Sequence, residues 1–304
     1  MAASAVVFAY HDVGVRCLSV LLAAGIRPAL VVTHRDDPRE TIWFASVEKL
    51  AREQDLEVAT PDDPREVEPH LARIAPDFLF SFYYRHMLPA PILAAARRGA
   101  FNMHGSLLPK YRGRVPVNWA ILRGERETGA TLHEMVEKPD AGRLVDQMAV
   151  PILPDDVALD VFRKVTAASE IVLHRSLPAL VAGTARLVPQ DLAAGGYFGG
   201  RKPDDGRIDW TQPARRIHDL VRAVAPPYPG AFTAAGGRRL RILRTRVLSD
   251  ADAPAAPALE ARGDRVVARC GGGGTLLILD GVWGGEPLRA AQLGGRALPL
   301  GETP

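Results

Sequence analysis

Short apolar runs alternate with stretches of helical period through the first half of the chain, and nothing else in the sequence restricts the fold so strongly. AVVFAY (5–10), PALVVTH (28–34) and PDFLFSFYY (76–84) have the length and character of buried strands, and GAFNMHG (99–105) reads as a further one. Helical patterns lie between them, one of them over TIWFASVEKLAREQ (41–54). Strands spaced by helices form βαβ units, so an α/β fold with a Rossmann-like, mostly parallel sheet is predicted. Ligands of such sheets collect at the carboxyl ends of the strands, and the chemistry is to be sought there.

Two more strand-like runs, GATLHEMVEK (129–138) and RLVDQMAVPIL (143–153), flank the turn Pro139-Asp140-Ala141-Gly142, and a long amphipathic helix is predicted over 157–181. A chain of 304 residues exceeds what one core usually serves. The division predicted is a Rossmann-like domain over 1–192, a glycine-rich linker over 193–206 and a smaller domain over 207–304. In the last, PARRIHDLVRAV (213–224) reads as a helix. RRLRILRTRVL (238–248), DRVVARC (264–270) and GTLLILDGVW (274–283) read as strands, with GGGG (271–274) as a hairpin turn, which suits a small OB-like β-barrel. Residues 201–249 hold eleven Lys and Arg against four Asp and Glu. That balance is read as a solvated barrel face, with a nucleic-acid surface as the competing reading.

Several functions are disfavoured. YHDVGVR stands where a dinucleotide fold places G-x-G-x-x-G, and neither a P-loop nor a G-x-S-x-G elbow occurs. Cys17 and Cys270, the only cysteines, form no C-x-x-C pair, and the eight histidines show no H-E-x-x-H spacing, so no metal is expected. The amino terminus lacks a basic n-region and no apolar run approaches membrane-spanning length, so the expected location is cytoplasmic, away from membranes.

The candidate chemistry sits in GAFNMHGSLLPKYRGRVPVNW (99–119). On a strand, Asn102 and His104 share a face. An asparagine amide can donate to a developing oxyanion, and a histidine can move a proton near neutral pH. Asp140 lies in a turn between later strands, and a carboxylate close to His104 would orient the ring and favour its charged form. The three suit acyl transfer through a tetrahedral intermediate by direct attack of the acceptor, because none of them is a good nucleophile. The competing reading is a turn-capping asparagine beside a satisfied buried histidine.

The loop that follows decides between these. FNMHGSLLPKYRGRVPVNWAILRGE, TGATLHEM and PDAGRLVDQ together resemble the signature of the folate-dependent formyltransferases. The resemblance implies a catalytic triad of Asn102, His104 and Asp140 and a formyl donor, N10-formyltetrahydrofolate. It also implies pterin contacts from the backbone of His86, Met87 and Leu88, from Val136, Glu137, Lys138, Pro139 and Asp140, and from Arg114. VVFAYHDVG, FSFYYRHML, YFGGRKPDDGRIDW and RAVAPPYPGAF are similar to the branch that formylates UDP-4-amino-4-deoxy-L-arabinose in lipid A modification. A UDP-amino-sugar substrate is therefore implied, with no nucleic acid. A fused or separate NAD-dependent dehydrogenase–decarboxylase partner is implied too, while the oligomeric state stays open. Two residues depart from the branch: Val115 replaces a smaller alanine and Met103 a usual aliphatic. The rivals are methionyl-tRNA formyltransferase, which usually has Pro where Gly105 stands, another nucleotide-amino-sugar N-formyltransferase, and a non-catalytic binding module.

Overall fold

The computed structural model describes residues 3–38 and 40–301. Contacts divide the chain into two compact units. One comprises the residues up to Pro116 with Glu127–Val150 and Arg163–Gly199; the other comprises Val117–Arg126, Pro151–Phe162 and the chain from Gly200 onward.

The first unit begins as the apolar runs dictate. Strands β1 (Ala5–Ala9), β2 (Leu30–Val32), β3 (Val58–Ala59), β4 (Phe78–Phe82) and β5 (Gly99–His104) are joined through α1 (His11–Ala23), α2 (Val47–Glu53), α3 (Glu68–Ile74) and α4 (Ala90–Ala94). After β6 (Arg112–Gly113) and α5 (Pro116–Leu122) come β7 (Glu127–Glu134) and β8 (Leu144–Pro151). The sheet order is β3-β2-β1-β4-β5-β7-β8. The first five strands pair in parallel and β7 runs antiparallel to β5. All five residues of β1 and of β4 are buried, as strands covered on both faces should be. Helix α1 buries Val13, Cys17, Leu18 and Leu21 at three- and four-residue spacing.

The helix expected over 41–54 forms only from Val47. Ser46 caps it, its side chain accepting from the Lys49 N–H at 3.2 Å, which satisfies one orphan donor and stops the helix growing backwards. Trp43 and Phe44, upstream of the cap, pack their rings 4.5 and 3.9 Å from His11. The predicted long helix appears as α6 (Ala158–Ala182). The glycine-rich stretch read as a linker carries β9 (Tyr197–Phe198), which pairs in parallel with β6.

In the second unit, α7 (Ala214–Val224) and the strands β10 (Ala231–Ala235), β11 (Arg238–Ser249), β12 (Ala258–Arg262), β13 (Arg265–Arg269), β14 (Thr275–Trp283) and β16 (Leu298–Pro299) share one core, while the exposed β15 (Glu286–Pro287) pairs with β14. The order is β10-β11-β14-β13-β12-β16, and a bridge between Ala235 and Leu300 brings the two ends together into a barrel-like sheet. Register shifts around Arg244 move the buried set of β11 from Leu240 and Ile242 to Thr245. The GGGG tract links β13 to its antiparallel partner β14.

Phe80 is fully buried in β4, with the rings of Phe78, Phe82 and Phe101 5.8, 5.7 and 6.2 Å away. Phe80→Ala should cost about 3–5 kcal/mol of stability, read from urea unfolding of the two proteins. A loss under 1 kcal/mol would contradict this core.

Candidate active site

Strand β5 ends at the carboxyl edge of the parallel sheet, with Asn102 beside Ser81 on β4 and His133 on β7. The pleat turns Asn102 and His104 to one face and Met103 into the core on the other. His104 is 6% exposed. Its Nε2 lies 2.8 Å from the Tyr111 carbonyl. A carbonyl only accepts, so Nε2 carries a hydrogen and Nδ1 is left facing Asp140 Oδ1 at 3.6 Å.

Asp140 is where the contacts converge. Oδ1 accepts from Asn102 Nδ2 at 3.4 Å and lies 3.4 Å from His133 Nε2, while Oδ2 accepts from the Gly113 N–H at 2.8 Å. Burial alone would raise the pKa of this carboxyl. The charge of His104, the hydrogen bond and charge of His133 and the Gly113 N–H outweigh burial and hold it well below the usual carboxylate range.

His133 is the residue that motif reading passed over. It is 1% exposed, and its Nδ1 lies 2.8 Å from the Glu134 carbonyl, so Nδ1 is a donor. Nε2 has two neighbours, Asn102 Nδ2 at 3.1 Å and Asp140 Oδ1. A neutral ring accepts there from Asn102; a charged ring donates to Asp140. The signal was present in the sequence, since Asn102 and His133 sit in strands of period two, but only their pairing brings them together.

The loop after β5 is tied down by one hydroxyl. Thr131 Oγ1 donates to the Ser106 carbonyl and accepts from Leu108 N–H and Gln147 Nε2, at 2.6, 3.2 and 2.8 Å. Of the loop's three cations, Lys110, Arg112 and Arg114, Arg112 is buried and donates to the Leu192 carbonyl, while Arg114, implied as a pterin contact, is exposed. Among the described residues seven non-glycines have positive φ. Five of them lie just beyond strand ends: His11 opens α1 after β1, and Tyr83, Tyr111, Val115 and Asp140 follow β4, β5, β6 and β7. Such conformers persist only where surroundings impose them, and they gather at functional sites. Val115 is the least suited of the five, because a β-branched side chain resists φ near +48°.

Tyr83 places its hydroxyl against the backbone just beyond His104. A β-carbon at Gly105 would overlap it and come within 3.5 Å of Pro116 Cγ. Glycine at 105 is thus a space requirement of the tyrosine.

Apart from Arg114, the residues expected around a pterin are spread along two loops. Leu88 buries its side chain in the core, which leaves only its backbone groups for a ligand. Met87 and Val136 are apolar side chains 60% and 39% exposed, one on each loop. Glu137 and Lys138 are exposed and Pro139 is half-buried beside Asp140. His86 packs its ring 4.8 Å from His34. With Met87 and Asp62–Arg65 it lines a cavity of about 380 Å³ that none of Asn102, His104 and Asp140 borders. Among the described residues no group of three or more His, Cys, Asp and Glu could hold a metal ion, and no helix is long and apolar enough to cross a membrane.

Two sequence families match this chain: formyl transferase over residues 23–177, and the formyl transferase C-terminal domain over 201–295. The chain belongs to the formyl transferase family. Solved structures agree in fold. An N-formyltransferase from Helicobacter canadensis, in complex with folinic acid and dTDP-3-aminofucose, is 19% identical with a TM-score of 0.72, over 91% of this chain and 99% of that one. WlaRD, a sugar 3N-formyl transferase, is 18% identical with a TM-score of 0.71, over 91% and 97%. A 4-N formyltransferase from Francisella tularensis is 21% identical with a TM-score of 0.61, over 76% and 91%.

Two tests probe the site of this formyl transferase. Gly105→Ala should cost about 1–3 kcal/mol in chemical denaturation, and Tyr83→Phe in the same chain should recover part of it by removing the overlapping oxygen. Separately, a carboxyl with a lowered folded pKa contributes stability that is present above its unfolded value of about 3.9 and lost as pH falls towards the folded one. Thermal unfolding followed from pH 6 down should therefore fall more steeply for the native chain than for Asp140→Asn; equal slopes would show that the carboxylate is not held by these donors.

Proposed function

We propose that this formyl transferase moves the formyl group of N10-formyltetrahydrofolate to the 4-amino group of UDP-4-amino-4-deoxy-L-arabinose, a reaction of lipid A modification, with Asn102, His104 and Asp140 as its catalytic residues. The observation that carries the reading is the convergence of Asn102 and His104 on Asp140 at 3.4 and 3.6 Å at the carboxyl edge of the sheet. Folate-bound neighbours and the 3-N and 4-N sugar formyltransferases of the same fold support the class of donor and acceptor. The four sequence motifs between residues 6 and 232 favour the arabinose branch within it.

The residues fit such a donor. Exposed Met87 and Val136 offer apolar surface for a flat ring, and the backbone around Leu88 offers hydrogen bonds. The donor supplies an activated formyl carbon; the protein supplies the rest. Of the two contacts of Asn102 Nδ2, the one to Asp140 is longer than the one to His133, 3.4 against 3.1 Å. That hydrogen is the one free to be exchanged for the oxyanion that forms when the amine attacks. His104, anchored at Nε2 by the Tyr111 carbonyl, can hold a proton at Nδ1 against Asp140 and pass it between the attacking and departing nitrogens. Asp140 keeps that proton in place by remaining charged.

Asn102→Ala and His104→Ala should each lower kcat/KM by about 10²–10³ without changing the circular dichroism of the fold. The assay offers N10-formyltetrahydrofolate with the UDP-amino-arabinose, with a dTDP-3-amino sugar and with Met-tRNA in parallel, and reads a gain of one formyl group by mass spectrometry. Product from the arabinose nucleotide alone supports the full proposal. Product from the dTDP sugar keeps the triad and moves the substrate, as does formylated tRNA. Undiminished turnover in either alanine variant removes the triad.

A further inference from the structure

Residues 190–198 lie between the two segments matched by the family, 23–177 and 201–295, yet they reach the candidate site at several points. Gln190 Nε2 donates to the carbonyls of Asp140 and Gly142, at 3.0 and 2.5 Å. Leu192 gives its carbonyl to the buried Arg112. Arg112 N–H donates to Gly196 O at 3.0 Å and Arg114 N–H to Phe198 O at 2.9 Å, which is the β6–β9 pairing seen as hydrogen bonds. The ring of Phe198 packs 5.0 Å from that of Tyr111, whose carbonyl anchors His104. Two glycines permit this closeness. A β-carbon on Gly195 would overlap the Pro109 carbonyl, and one on Gly113 would overlap the Phe198 carbonyl.

We infer that residues 190–198 are a strap that positions the catalytic groups from behind, with Gln190 as a positioning residue for Asp140; this rests on the triad proposed above. Asp140 holds φ at +50°, a left-handed conformation open to few residues besides glycine, asparagine and aspartate, and a contact from outside the turn holds its backbone there. Gln190 makes it by spending both amide hydrogens on the two carbonyls that bracket Ala141. Its Oε1 is buried without a hydrogen-bond partner among the described residues, so this side chain serves as a pair of donors and not as an acceptor. The same strap fixes Gly113, whose N–H holds Asp140 Oδ2, and Tyr111, whose carbonyl holds His104. Both ends of the His104–Asp140 pair are thus referred to one short segment.

Gln190→Met and Gln190→Glu keep the length of the side chain and remove its donors. Both should fold and lose about 10- to 100-fold in kcat with KM for donor and acceptor unchanged, the glutamate being the worse because it turns an oxygen on the carbonyls. In an Asp140→Asn background the same changes should add nothing, because the glutamine acts through Asp140. The ring signals of His104 in NMR should shift in Gln190→Met in the direction they shift in Asp140→Asn. That readout needs no substrate, so it tests the strap even if the wild-type chain formylates nothing and the proposed function falls. Native kcat in Gln190→Glu, a full additional loss in the Asp140→Asn background, or unmoved His104 signals would each overturn the inference. Should Gln190→Met unfold, Gln190→Glu carries the same comparison.

Discussion

A carboxylate taken out of water has to be met by donors, and much of the first unit is arranged around meeting one. Asp140 has a side chain only 14% exposed, and its partners come from three separate stretches: Asn102 and His104 on β5, Gly113 on β6, and His133 on β7. Each partner is itself held. His104 leans on the Tyr111 carbonyl, His133 on that of Glu134, and the loop is tied to Thr131. Take the charge away and these contacts lose their common reason. A buried ion can stabilise little on balance and still decide which arrangement of its neighbours is acceptable.

Much of this was legible before any coordinates. The parallel sheet followed from apolar runs spaced by helices, and the shared face of Asn102 and His104 followed from strand period alone. What stayed hidden depended on pairing. His133 is an ordinary histidine in a strand until β7 is laid beside β5. Arg112 reads as a loop cation until its guanidinium is found turned inward. The helix over 41–54 was overextended because Trp43 and Phe44 fit its apolar stripe; Ser46 supplied a cap, and His11 supplied the rings with a better surface.

Backbone strain and open space share the work at the carboxyl edge of the sheet. Tyr83, Tyr111 and Val115 adopt a conformation that a side chain opposes, while Gly105 and Gly113 leave room that a side chain would fill. The two devices answer the same demand, which is to bring backbone carbonyls and N–H groups closer to the functional side chains than regular strands allow. The second unit shows the milder version. There a register shift in β11 suffices to change which side chains face the barrel core, with no residue strained for it.

The position of β9 also says where this chain could be recombined with a relative. A crossover at residue 192, where composition first turns glycine-rich, would exchange Phe198 for a stranger while keeping Gly113 and Tyr111, and the parental hydrogen bonds of the loop would face an untested partner. Joining after Gly199 transfers the whole of 190–198 with the groups it touches, and it coincides with the point at which the first compact unit ends. Module boundaries drawn from composition and those drawn from hydrogen bonds therefore differ here by a few residues, and those residues pair with the strand whose Gly113 N–H meets Asp140.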